Sequence, residues 1–154
     1  MDALQIVVVI HVLSALIGIG PTFFSHVLLR RNQTLQEYRT SLALSKKIEP
    51  FPKIGGPMAV LSGITLIVAA DYGPVTQLWL IGSLVIFVLI QVLTATAVFP
   101  AMKKVAIWLN DPMNAAATVF PPEYRQKIEK AGVGMYAASA LGVLLFILMI
   151  VKPA

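Results

Sequence analysis

His11 and His26 are the two histidines of the 154-residue chain, and they bracket the apolar stretch HVLSALIGIGPTFFSH. Imidazole titrates near neutral pH, can donate or accept a hydrogen bond at either nitrogen, and ligates haem iron. Three chemistries are therefore open to His11. It can be a neutral ring bridging hydroxyls of neighbouring helices, an axial haem ligand, or a proton-relay or polar-ligand contact. At 1.5 Å per residue, His26 lies about 22 Å along a straight helix from His11, so the two cannot share one metal or haem. His26 is expected at the membrane interface beside Arg30 and Arg31, contacting lipid phosphate.

Other chemistry is largely absent from the sequence. There is no cysteine, which removes disulfides, thiolate metal sites and cysteine nucleophiles. No metal centre is expected from two separated imidazoles. No glycine-rich phosphate loop, Ser-His-Asp set or buried carboxylate pair is present, so hydrolysis and phosphoryl transfer have no residues to carry them. No catalytic residue is assigned.

The elements that must position these groups are membrane helices. The chain is 58% hydrophobic and 12% charged, roughly half the charge of a soluble domain. Apolar blocks cover residues 3–29, 54–70, 75–102 and 131–151. A hydrocarbon core of about 30 Å needs around 20 helical residues, and unalternating runs in lipid form helices rather than barrel strands. The connections 30–53 and 103–130 hold eleven of the twelve Lys and Arg residues, the exception being Lys152. By the positive-inside rule both connections are expected to be cytoplasmic and both termini outside. This distribution explains the net charge of +5 without nucleic acid as a partner. The bilayer is the expected partner, and a homo-oligomer is open.

Within the connections, residues 34–49 have Leu35, Tyr38, Leu42 and Ile48 spaced for an amphipathic helix, or for a cytoplasmic extension of helix two interrupted near Pro50 and Pro52. KKVAIWL reads as the end of helix three, and Pro121 and Pro122 suit the first turn of a helix running into the fourth span.

Counting depth along antiparallel helices groups the polar side chains into layers. An outer layer holds His11 with Thr65, Ser62, Ser83 and Ser139. A deeper layer holds Gln91, Thr22 and Tyr136. On helix one, His11, Ser14, Gly18, Thr22 and Ser25 form a small or polar stripe, and helix two offers the ladder Gly55, Ala59, Gly63. Such stripes let helices approach closely in lipid. Ser14, Thr22, Thr65, Ser83, Gln91, Tyr136 and Ser139 are the candidate lining of a polar cavity.

His11 followed by GIGPTFF, the basic segment after helix one, and GGPMAVLSG at the start of helix two carry a likeness. The chain resembles a bacterial family of small four-helix integral membrane proteins catalogued as a domain of unknown function, the 2269 type. More distantly it is similar to the CopD copper-resistance membrane domain and to HemJ-type protoporphyrinogen oxidases. The second likeness implies haem b, and implies it at His11 alone.

The fold expected is an all-α, antiparallel up-down four-helix transmembrane bundle with amphipathic cytoplasmic segments. The function expected is a bundle enclosing a small polar cavity or binding an apolar ligand such as lipid or quinone. The alternative is a haem b redox protein with His11 as axial ligand.

Overall fold

A computed structural model describes residues 2–30, 32–70, 74 and 76–153. Its helices are α1 (Ala3–Leu28), α2 (Leu35–Ile48), α3 (Pro50–Ala69), α4 (Leu78–Leu93), α5 (Phe99–Asn110) and α6 (Pro122–Val151). A π-helical turn, Thr94–Val98, joins α4 to α5, and a short 3₁₀ turn, Pro112–Asn114, follows α5. No strand occurs among the described residues.

The helix ends follow local chemistry. Asp2 and Gln5 close a capping box on α1, with Asp2 Oδ1 accepting from Gln5 N at 2.7 Å and Gln5 Oε1 accepting from Asp2 N at 3.1 Å. Thr34 and Glu37 do the same for α2. Each box satisfies two backbone N–H groups that a helix start leaves orphaned. Glu49 keeps helical angles, φ −51° and ψ −34°, so α2 passes into α3 with Pro50 in the first turn, where a missing N–H costs little. Farther on, Pro100 lacks the N–H that Thr96 would need, and its ring crowds that carbonyl. The helix yields there by widening: Phe99 N–H reaches back to Thr94 O across the π turn.

Four helical stretches are long and apolar enough to cross a membrane: Ala3–Leu28, Leu35–Ala69, Leu78–Asn110 and Pro122–Val151. In the second, α3 is the apolar part and α2 carries the charges. Large side chains face outward along the spans, as with Val68 (81% exposed), Phe24 (67%) and Ile150 (79%). In water such a surface would drive association, whereas in a bilayer it meets acyl chains.

The main packings are α1 on α3, α1 on α6, and α6 on α4, the π turn and α5. Helices α1 and α6 are thus the central pair, with α3 and α4 flanking. Every packed pair is antiparallel. Gly18 meets Gly55 while His11 meets Ser62; Ile19 meets Gly142 while His26 meets Tyr136; Gly82 meets Leu148 while Val98 meets Gly134.

The tightest packing lies at the end that carries the basic connections. There Tyr38, Val105, Leu109 and Ile128 are almost wholly buried, with Trp108, Phe120 and Tyr124 against them. The Arg39 guanidinium donates to Leu109 O at 2.8 Å and Asn114 O at 3.1 Å, tying α2 to the open carbonyls after α5. Burial pushes the Tyr38 phenol up to about 12.

Candidate functional site

The two histidines sit on different seams of α1. The α1/α3 seam is set by glycine. A Cβ on Gly55 would stand 2.5 Å from Gly18 N, and one on Gly18 would stand 2.8 Å from Gly56 N. Only glycine lets these backbones touch, and buried Ser14 lies at the same crossing. Two turns up α1, the His11 ring lies over Gly63, where a Cβ would meet His11 Cε1 at 3.0 Å. His11 Nδ1 is 2.8 Å from Ala59 O and 3.2 Å from Ser62 Oγ. A carbonyl can only accept, so Nδ1 carries the proton, and the lone pair of this tautomer lies on Nε2. Ser62 in turn donates to Met58 O at 2.6 Å.

The α1/α6 seam is looser. Gly142 brings α6 against Ile19, and Ser139 then faces α1. His26 Nε2 is 2.9 Å from Ser139 Oγ, which lies 3.3 Å from Thr22 O. The imidazole stacks on Tyr136 at 3.9 Å between centroids and 10° between planes. His26 Nδ1 is buried and has no hydrogen-bond partner among the described residues. Beside it a cleft of about 850 Å³ opens between the basic ends of α1 and α6, lined among others by Leu29, Arg30, Lys130, Gly132, Val133 and Tyr136. A Cβ at Gly132 would meet nothing within 4 Å.

Arg30 borders this cleft and pairs with Glu37 at 3.5 Å on the exposed surface. The Thr34 backbone N–H, then its hydroxyl, then the Arg30 guanidinium hold the Glu37 carboxyl below the usual carboxylate range.

The remaining sequence candidates are dispersed. Ser83 is buried and donates to Trp79 O at 2.6 Å within α4. Thr65 donates to Leu61 O on an exposed face, and Thr22 Oγ1 donates to Ile19 O at 2.6 Å. Gln91 lies on an exposed face of α4. Arg31 lies outside the described residues. Ser139 joins His26 and Thr22 instead of His11, and His26 points into the α1/α6 seam. The acceptor that sequence reasoning missed is Ala59 O. Its signal was the Gly55-Ala59-Gly63 ladder, which exposes backbone to the facing helix. Among the described residues no group of three His, Asp or Glu could hold a metal ion.

Both histidines, both seams and the cleft fall within residues 5–153, which match the model of a family described as predicted integral membrane protein (DUF2269). The chain belongs to that family. No curated protein and no solved structure matches it. Membership agrees with the four apolar helices and makes this an integral membrane protein.

Proposed function

We propose that this protein binds an apolar ligand with a polar head, a lipid or a quinone, and that the head enters the α1/α6 cleft. One observation carries the reading: His26 lines an open cleft, and its buried Nδ1 has no hydrogen-bond partner among the described residues. An unmatched polar atom in such a place is a cost that a ligand hydrogen bond removes. In this reading the protein lies in a bacterial inner membrane with the cleft at the cytoplasmic face and both termini outside, an orientation the Lys and Arg distribution supports.

The test compares wild type with Gly132→Leu, which fills the cleft where there is room. After purification in mild detergent, extracts are analysed by mass spectrometry. An amphiphile held by wild type and lost in the variant supports the reading. Equal recovery from both overturns it.

A second reading, haem b on His11, draws on the Nδ1–H bond to Ala59 O, which leaves Nε2 as the ligating nitrogen. Haem would supply one-electron redox chemistry there. A Soret band after haem addition, lost in His11→Ala, supports this reading, and a colourless wild type sinks it.

A further inference from the structure

The His26 contacts permit two proton arrangements with the heavy atoms unmoved. In one, Nε2–H donates to Ser139 Oγ at 2.9 Å and the Ser139 hydroxyl donates to Thr22 O at 3.3 Å, leaving a bare Nδ1 that accepts. In the other, the Ser139 hydroxyl donates to Nε2 and the proton sits on Nδ1, which donates. A hydroxyl is both donor and acceptor, so rotation about its C–O bond lets Ser139 match either tautomer once the ring proton has exchanged between Nε2 and Nδ1. The atom left without a partner is therefore matched equally by a ligand oxygen that accepts and by one that donates.

The charges beside it are mixed and do not by themselves call for an anion. Arg30 and Lys130 line the cleft, but Glu129 lines it too, and Arg30 already engages Glu37. Tyr136 supplies an aromatic surface: one face covers His26, while the residue remains 63% exposed on the cleft. Nδ1 itself is closed to solvent, so a head group would reach it by displacing the stacked Tyr136 ring.

We infer that the cleft takes a neutral, planar head that alternates between carbonyl and hydroxyl, the quinone and quinol forms of a membrane quinone, with His26 Nδ1 hydrogen-bonded to the ring oxygen in both. This rests on the ligand reading above and names its chemical class. It is a statement about binding, with no electron transfer assigned.

The experiment is calorimetric titration of the full chain in nanodiscs with a short-tailed benzoquinone and, anaerobically, its hydroquinone. Wild type is expected to bind both forms within about threefold of each other, less than one net hydrogen bond. His26→Ala weakens both. Ser139→Ala removes a hydroxyl that serves Nε2 as acceptor or as donor, so it weakens both forms alike. The loss in His26→Ala is about tenfold for each form, the worth of one hydrogen bond. Affinity for either form unchanged in His26→Ala would overturn the inference. So would a wild type that ignores both forms and instead binds phosphatidylglycerol in a manner lost in Arg30→Gln/Lys130→Gln. An amphiphile lost in Gly132→Leu, with no affinity for either form, removes the quinone and leaves the ligand reading standing. No amphiphile and no quinone affinity removes both.

Discussion

The α1/α3 and α1/α6 seams share a helix, and each holds a half-buried imidazole, yet they treat it in opposite ways. On α3, glycine at positions 55 and 63 brings backbone to the ring, so His11 finds a carbonyl and a hydroxyl at one nitrogen. On α6, a single serine meets His26, one nitrogen stays unmatched, and open space lies alongside. Close approach uses up a histidine's hydrogen-bonding capacity on the protein itself. Looser approach leaves some of it over, and what is left over can serve a ligand.

The largest effect expected is at the tight seam. Gly55→Leu would drive a side chain into the Gly18 backbone and Ser14 O, both under 3 Å from a Cβ there. A backbone cannot yield as a side chain does, so the loss is about 3 kcal/mol or more. It would be seen as collapse of the monodisperse peak in size-exclusion chromatography. A well-folded Gly55→Leu protein would break the contrast between seams.

Next comes the pair of alanine variants. His11→Ala should lower the thermal midpoint more than His26→Ala, because it opens a void over Gly63 and removes bonds to Ala59 O and Ser62. The difference is on the order of 1 kcal/mol, given the modest worth of interhelical bonds in lipid. The reverse order in a detergent melting series would show that His26 is the structural residue. Gly132→Leu, facing open space, should instead raise stability by about 0.5–1 kcal/mol through helix propensity while abolishing ligand retention. A destabilised variant would mean the cleft is closed.

The smallest effect is acid-dependent. The Glu37 pKa is depressed in the fold, so its contribution is present above the unfolded value and lost as pH falls through the folded one. Protonation also releases Arg30 at the cleft edge. Stability of wild type should fall slightly more than that of Glu37→Gln across this acid range, with the α1/α3 seam unaffected. Parallel melting curves for the two proteins would remove Glu37 from the account.

Much of the architecture was legible because long uncharged blocks in a short chain admit few alternatives. Residue-level pairing was legible only to about one helical turn. Counting depth sets both Ser62 and Thr65 level with His11, where Ser62 makes the contact and Thr65 turns to Leu61 O. It sets Tyr136 level with Thr22, where Ser139 makes it. The reason is physical: block edges mark where charge begins, while register is fixed by where glycine permits contact, as at Gly55 and Gly142. The acceptor at Ala59 is a main-chain atom, and every residue has one. Only packing reveals which carbonyl is used.

The π turn at Thr94–Val98 has a consequence for the whole third span. A wide turn holds one more residue than an α turn, and each residue rotates a helix by about 100°. That surplus sets the phase between α4, whose Ile86 and Ile90 pack in the membrane core, and α5, whose Val105 and Leu109 pack beside Tyr38. Delete one residue there and the two apolar stripes fall out of step, turning Val105 and Leu109 away from α2. The turn is the coupling that lets one continuous rod serve two separate cores.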